Sequence, residues 1–290
     1  MVKDETCIGF GVTYRSIKDL ELGSCDSCIR SRMHAFSLPS SISHKEYSPF
    51  ECISCDYIPF NRVINGQVKS YSVRGYTGCI IYVDAATDML WIYLVFTKGE
   101  WLSTLQRLIR EYGPTTNSKS IKLKYLRSDF CKELQSTEST EYFKNAEILL
   151  HSSTPYKHAQ NPAERKWPQL KSMHTSAMLQ NNTPVRYWCY ALQYTAQTYR
   201  WLPQSGHKRS RNEEFSGERS DISNCVPFYS HGWAHVSEEE MIAKRMKSGS
   251  KKSTASRAVQ CRMLGFSTPY EVTDRTGSTV WLGQKRLHLL

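Results

Sequence analysis

Residues 78–96, GCIIYVDAATDMLWIYLVF, determine which class of fold the chain can adopt. Two apolar runs rich in Ile, Val, Tyr and Trp lie on either side of a more polar centre, and such residues favour β-strands. Asp84 and Asp88 fall inside the apolar segment, where a membrane helix would have to hold both carboxylates in lipid at high cost. The segment therefore predicts two buried strands, 78–83 and 90–96, joined by a turn.

The flanking segments extend this hairpin into a larger sheet. Residues 51–56 form an apolar strand before it, and residues 101–109 carry apolar side chains at helical spacing after it. The remaining predicted elements are a strand over 121–126 that leads to Asp129, a helix over about 132–145, a strand over 148–150, and helices over 162–180 and 184–201. Three consecutive strands followed by strands alternating with helices predict an α/β fold, a mixed five-stranded sheet with helices on its faces.

Composition divides the chain into four zones. Residues 1–48 contain a cysteine pair and end in a Ser-rich linker, and residues 49–204 contain the predicted sheet and its helices. Residues 205–222 are polar and charged, which predicts an exposed linker. Residues 223–290 contain short β-like segments interrupted by a basic run, so we expect a small β-rich C-terminal domain there.

The charge of the chain indicates a polyanionic partner. Its formal net charge is +11 and its pI about 9.1, and nucleic acid is the commonest partner of so basic a protein. The alternative is a protein that is basic without binding nucleic acid. No signal peptide opens the sequence, and most of its cysteines lie singly in apolar runs, so we expect an intracellular protein in a reducing compartment.

Three carboxylates occupy positions from which they could share metal ions. Asp56 ends the first predicted strand, Asp129 ends the fourth, and Glu164 opens the helix after the fifth. Such a cluster suits phosphodiester chemistry, because hard cations such as Mg²⁺ prefer oxygen ligands, and two of them about 4 Å apart can activate the attacking oxygen and stabilise the leaving one. Each residue also has an ordinary structural explanation, as a turn residue, a helix cap and part of a capping box with Asn161.

Ordered motifs connect these carboxylates to a known family. The motifs are CDYIPF at 55–60, YVD and WIY within 82–93, LRSD at 126–129, TPYKHAQNPAERK at 154–166, YW at 187–188 and RWLP at 200–203. Together they resemble the integrases of copia-type retrotransposons, a branch of the retroviral integrase superfamily with a ribonuclease-H-like catalytic core. Glu164 lies 35 positions after Asp129, close to the spacing typical of that family.

The resemblance implies an enzyme that processes the 3′ ends of DNA and joins them to target DNA. Asp56, Asp129 and Glu164 would be its catalytic residues and would bind two Mg²⁺ or Mn²⁺ ions. The protein would act on DNA as a homo-oligomer in the nucleus, without membrane contact. The expected nucleic-acid-binding residues are Lys157, His158, Gln160, Asn161, Arg165, Lys166, Lys244, Arg245, Lys247, Lys251 and Lys252. For the basic run that holds the last five, a solvated loop with no binding role is the alternative.

Two departures from the family pattern favour an alternative function. Phe130-Cys131-Lys132 stands where the family has glycines, and Pro168 falls inside the helix predicted to begin at Pro162. An interior proline costs about 3 kcal/mol or kinks the helix, so the helix could instead begin near Pro168 and leave Glu164 on a turn. The alternative function is that of a degenerate or co-opted protein that binds nucleic acid without cutting it.

Cys25 and Cys28 form a candidate zinc half-site. The sequence CDSCIRSR at 25–32 resembles the second half of the zinc module of the same family, but no histidine precedes His34, so we expect a truncated or altered module. Cys52 and Cys55 form a second pair, and the two pairs together suggest a zinc ribbon. Because residues three apart on a strand point to opposite faces, we expect ordinary thiols at the second pair instead.

Overall fold

A five-stranded mixed sheet organises the computed structural model. Its strands are β1 (Cys52–Pro59), β4 (Gly78–Asp84), β5 (Leu90–Val95), β6 (Tyr125–Ser128) and β7 (Leu149–Ser152), and a separate hairpin of β2 (Arg62–Ile64) and β3 (Gln67–Lys69) follows β1. The order in the sheet is β5-β4-β1-β6-β7. β4 pairs antiparallel with β1 and β5, whereas β6 runs parallel to β1 and β7.

The structure describes residues 47–60, 62–64, 67–69, 72–113, 122–129, 132–152, 161–223, 225–235, 258–266, 272–273, 279–280 and 287–289. Within these ranges the α-helices are α1 (Trp101–Tyr112), α2 (Thr137–Asn145), α3 (Pro162–Gln180), α4 (Trp188–Trp201) and α5 (Arg211–Ser216). No helix of the described part of the chain is long and apolar enough to cross a membrane.

Helices cover both faces of the sheet. On one face, α1 and α2 pack through residues such as Leu105 against a cluster that includes Ile53 of β1. On the other face, α3 and α4 pack through residues such as Leu192 against a second cluster that includes Ile58 of the same strand. β4 is buried along its whole length, which explains why its sequence is apolar without alternation. The predicted α/β fold class, a mixed five-stranded sheet flanked by helices, is confirmed.

The hairpin predicted over 78–96 is confirmed, since β4 and β5 are paired antiparallel from Gly78 with Val95 to Val83 with Leu90. Two strand boundaries were wrong. β1 continues to Pro59, so Asp56 lies within the strand and does not end it. β6 begins at Tyr125, and the described residues before it, 122–124, lie outside the strand although Lys124 hydrogen-bonds with Glu51 and Leu149.

Residues 205–222 do not form the exposed linker that their polar composition predicts. Ser210 caps α5 by accepting a hydrogen bond from the Glu213 amide, and Phe215 is buried between Phe50 and Trp91 of the core. Arg211 is also buried, because its guanidinium is paired with a carboxylate inside the molecule. Residues 210–216 are therefore polar in composition but part of the folded core, whereas residues 205–209 and 217–219 are exposed.

The C-terminal zone contributes a three-stranded sheet in the order β12-β9-β8, formed by β8 (His231–His235), β9 (Ala258–Phe266) and β12 (Leu287–Leu289). Two further short strands, β10 (Val272–Thr273) and β11 (Thr279–Val280), pair with each other. Phe228 and Leu264 pack with Ala191 of α4, so the strands of this zone lie against the helical layer. The domain limits at 48, 204 and 222 stay predictions.

Candidate active site

Asp56 and Asp129 are brought side by side by the pairing of β1 with β6. The two strands are parallel and in register from Cys52 with Tyr125 to Cys55 with Ser128. Asp56 follows Cys55 and Asp129 follows Ser128, so the two aspartates are the next residues in that register. Neighbouring strands are about 4.8 Å apart, and residues in register on parallel strands point to the same face. Continued by one residue, this register predicts that the two carboxylates share one face of the sheet.

That face is the one covered by α3 and α4. Ile58 lies two residues after Asp56 on the same strand, and it packs in the cluster that contains Ala163 and Leu170 of α3. Cys55, which points the other way, packs in the opposite cluster. Because side chains alternate along a strand, Asp56 faces the start of α3, which carries Glu164.

Asn161 fixes the start of α3 beside Asp56. Its side-chain oxygen accepts a hydrogen bond of 3.1 Å from the Ala163 amide and so caps the helix, while its Nδ2 donates one of 3.1 Å to the Cys55 carbonyl. Pro162 occupies the first helical position, where its missing N–H is not needed. Glu164 thus lies in a first turn that is bound to the residue preceding Asp56.

Pro168 is accommodated inside α3, which runs without interruption from Pro162 to Gln180. The alternative that the helix begins near Pro168 is wrong. Pro168 cannot donate to the carbonyl of Glu164 four residues earlier, so one bond of the helix is missing at the candidate site. Packing offsets this loss. The rings of Trp167 and Phe60 meet edge-on with 5.6 Å between their centroids, and Leu170 is fully buried.

The candidate site concentrates negative charge. The pKa of Asp56 is raised to about 6, first by burial and then by the negative charges of Asp129 and Glu164, while the Tyr57 amide and Lys98 act in the opposite direction. Oε2 of Glu164 is buried and has no hydrogen-bond partner. Carboxylates that are partly buried and repel one another are stabilised by a bound cation or by protonation.

The donor set fits a hard divalent cation, because it consists of carboxylate oxygens, one of which is buried without a partner. In the described part of the chain, no group of three or more His, Cys, Asp or Glu side chains is already arranged to hold an ion. Asp129 and Glu164 are close enough to act on the charge of Asp56, but the spacing of roughly 4–8 Å expected from ligand and metal–metal distances stays a prediction.

Three of the residues predicted to contact DNA lie in the described part of the chain, and their surroundings differ. Arg165 is exposed on α3. Asn161 is 3% exposed and is used as the helix cap, so it is not a surface contact. Lys166 pairs with Asp88, with 2.6 Å between Nζ and Oδ2. The other predicted binding and zinc residues lie outside the described residues: Cys25, Cys28, Lys157, His158, Gln160, Lys244, Arg245, Lys247, Lys251 and Lys252.

Two lysines near the site gain roles that the sequence did not indicate. Lys98 follows β5, pairs with Glu133 at 3.5 Å and lowers the pKa of Asp56. Lys166 belongs to a buried network around Asp88, a residue that the sequence identifies only as part of a hairpin turn. Both roles depend on contacts between residues far apart in the sequence, so no local motif indicates them.

Asp84 and the second cysteine pair are buried in the sheet. Asp84 pairs in register with Ile53, three residues before Asp56, so it lies toward the other end of β1 from the candidate site. Its carboxylate accepts hydrogen bonds from the Phe50 and Thr87 amides and from the Thr87 hydroxyl. The zinc ribbon suggested for Cys52 and Cys55 stays a hypothesis, since its other pair, Cys25 and Cys28, lies outside the described residues.

Comparison with known proteins gives one similar curated sequence. No protein-family model matches the chain. Over 223 residues, 74% of this chain, the sequence is 24% identical to the "Retrovirus-related Pol polyprotein from transposon TNT 1-94" of Nicotiana tabacum. The chain is similar to part of a retrotransposon polyprotein. It spans 16% of that polyprotein's length, and the resemblance drawn from the motifs is confirmed.

Two solved structures are similar at low identity. The HTLV-2 integrase catalytic core domain in complex with magnesium, in its trimeric form, is 14% identical with a TM-score of 0.44, over 59% of this chain and 99% of that chain. A simian T-cell lymphotropic virus intasome in complex with PP2A regulatory subunit B56 gamma is 16% identical with a TM-score of 0.47, over 96% of this chain and 91% of that chain.

Proposed function

We propose that the chain is an integrase-type polynucleotidyl transferase that cuts and joins DNA with the help of divalent metal ions. The observation that supports this proposal is that Asp129 and Glu164 lie within electrostatic reach of the Asp56 carboxyl group. Asp129 and Glu164 both raise the pKa of Asp56, and Glu164 has a buried oxygen with no partner. A protein that did not use this charge would gain stability by losing it.

The three residues would hold the cations from three different elements of the fold. Asp56 is fixed within β1, Asp129 directly follows β6, and Glu164 lies in the first turn of α3. When bound, two Mg²⁺ or Mn²⁺ ions would activate the attacking oxygen and stabilise the leaving one. In the first displacement, water attacks a phosphorus near the 3′ end of the DNA, the bond from that phosphorus to the 3′ oxygen breaks, and the terminal nucleotides are released with a 5′ phosphate. In the second, the freed 3′ hydroxyl attacks a target phosphodiester, and the target's own 3′ oxygen leaves.

The proposal is tested by Mg²⁺-dependent nicking of plasmid DNA and joining of a labelled duplex end. The wild type is compared with Asp129→Asn, which removes one carboxylate while preserving its shape, and with Glu138→Gln, which removes an exposed carboxylate on α2. We expect activity in the wild type and in Glu138→Gln, and its loss in Asp129→Asn and on chelation. Equal activity in wild type and Asp129→Asn would show that the triad does not carry the chemistry. DNA binding without cutting by either would favour the non-cutting alternative.

DNA is the proposed partner, bound by a homo-oligomer in the nucleus. The net charge of +11 supports this proposal, because phosphate contacts by basic side chains release counterions. We expect affinity for duplex DNA to fall steeply as the salt concentration rises, with little dependence on sequence. Fluorescence anisotropy at several salt concentrations measures the slope. A flat dependence would contradict a binding mode based on phosphate contacts.

A further inference from the structure

The ion pair between Lys166 and Asp88 gives the first turns of α3 a second anchor besides the Asn161 cap. Lys166 Nζ lies 2.6 Å from Asp88 Oδ2, and the lysine side chain is only 26% exposed. Lys166 is two residues after Glu164 in the same helix. An ion pair that holds Lys166 therefore restricts the movement of the helical turn that carries Glu164.

Asp88 is a fixed acceptor for this lysine. The Tyr199 hydroxyl on α4 donates to the same Oδ2 at 2.6 Å, and the Arg211 Nε on α5 donates to it at 3.1 Å. The Asp88 amide donates at 3.1 Å to the carbonyl of Asp84, which holds the turn closed with Asp88 at a φ of 60°. Removal of the lysine would leave this carboxylate with two strong donors, so the hairpin would keep its position.

The start of α3 needs such an anchor for two reasons. Pro168 removes the hydrogen bond that the Glu164 carbonyl would otherwise accept within the helix. In addition, Oε2 of Glu164 is buried and has no hydrogen-bond partner, so nothing on the side chain itself holds it in place. Without opposing contacts, both effects would favour movement of the first turn away from β1. Asn161 opposes that movement on one side of Glu164 and Lys166 on the other.

We propose that Lys166 is a positioning residue that, through Asp88, holds Glu164 facing Asp56 so that the two carboxylates can share a divalent cation. The inference rests on the proposed function for the identity of that ion. It replaces the DNA contact that the sequence motif implies for Lys166, since the ammonium group is directed to a carboxylate that is itself buried.

Three charge-matched variants of α3 distinguish these roles: Lys166→Gln, Arg165→Gln and Lys171→Gln. Each removes one positive charge, and Arg165 and Lys171 are exposed. Mg²⁺ affinity is measured by calorimetry in the absence of DNA, and DNA affinity is measured against salt concentration. We expect Lys166→Gln to weaken Mg²⁺ binding roughly 10-fold, as loss of a supporting contact does at metal sites, and to leave the salt slope unchanged. Lys166→Arg, which keeps the ion pair, should restore Mg²⁺ affinity.

The two other variants give the contrasting patterns. Arg165→Gln should lower the salt slope by about one and leave Mg²⁺ affinity unchanged, as expected of a phosphate contact. Lys171→Gln should change neither quantity. If Lys166→Gln lowers the salt slope without affecting Mg²⁺ affinity, Lys166 is a DNA contact and the proposal is overturned. If Lys166→Gln changes neither Mg²⁺ affinity nor the salt slope, as expected of Lys171→Gln, the ion pair does not position Glu164 and the proposal is likewise overturned.

A readout without metal separates failure of this inference from failure of the proposed function. Absence of Mg²⁺ binding by the wild type would count against the proposed function. In that case, amide hydrogen exchange over residues 165–172 still tests the anchor, and we expect exchange there to be several-fold faster in Lys166→Gln than in Lys171→Gln. Equal exchange in the two variants would overturn the positioning role.

Discussion

Asp56→Asn is expected to abolish Mg²⁺-dependent DNA nicking and, in the same protein without metal, to increase the free energy of unfolding at neutral pH. The activity should fall by roughly 10³-fold or more, because metal stabilisation of the reacting oxygens is worth several kcal/mol and each 1.36 kcal/mol is tenfold in rate. The gain in stability follows from the cost of keeping Asp56 ionised between burial and two other carboxylates.

The direction of the pH dependence follows from the pKa of Asp56, which is raised from 3.8 to about 6 in the folded protein. A raised pKa means that the folded state binds the proton more tightly than the unfolded state does. The corresponding stability is fully present below about pH 4 and is lost as the pH rises through about 6. At pH 7 the loss is on the order of 2 kcal/mol after allowance for solvent around a partly buried group.

Denaturant unfolding in the presence of chelator, at pH 4 and pH 8, measures this effect. Asp56→Asn should be more stable than the wild type at pH 8 and should lose most of that advantage at pH 4. Glu138→Gln, which neutralises an exposed carboxylate, should show little difference at either pH. If Asp56→Asn lost stability at pH 8, Asp56 would be a structural residue, and its loss of activity would say nothing about metal binding.

The fold could be predicted because its strongest signals are local. β4 and β5 are continuous apolar runs separated by a polar turn, and α1 carries its apolar residues at helical spacing up to Gly113. The failure at 205–222 has a physical cause. Arg211 and Phe215 are buried together, and an arginine that is paired inside a protein has the same sequence signature as one in solvent.

The candidate site could be predicted only in part. Motifs identified Asp56, Asp129 and Glu164, but the register that aligns the first two depends on the pairing of strands 73 residues apart, which no local pattern specifies. The contact that Lys166 makes could not be predicted for a related reason. Its motif implies a DNA contact, whereas its actual partner, Asp88, lies 78 residues earlier in the chain. Both the register of β1 with β6 and the contact of Lys166 with Asp88 depend on interactions between distant segments of the chain.

Asp88→Ala is expected to lower the free energy of unfolding by about 3–5 kcal/mol, because it leaves a buried cation without its partner. The Arg211 side chain is 5% exposed, and its guanidinium lies 3.9 Å from the centre of the Tyr199 ring. Its Nη1 would keep hydrogen bonds to the Leu202 and Pro203 carbonyls, but Nε would lose the carboxylate. Urea unfolding measures the loss, and Glu141→Ala on the exposed side of α2 is the control, with an expected change within about 0.5 kcal/mol.

Asp88→Asn distinguishes the contribution of charge from that of hydrogen bonding. A single oxygen of Asp88 accepts from Lys166, Tyr199 and Arg211, and two of these donors are cations. Asparagine can still accept hydrogen bonds through its amide oxygen but cannot balance the two charges. We therefore expect Asp88→Asn to be less stable than the wild type and more stable than Asp88→Ala. Equal losses in the two variants would show that the negative charge alone holds the network together, and a loss below about 1 kcal/mol in Asp88→Ala would show that water replaces the carboxylate.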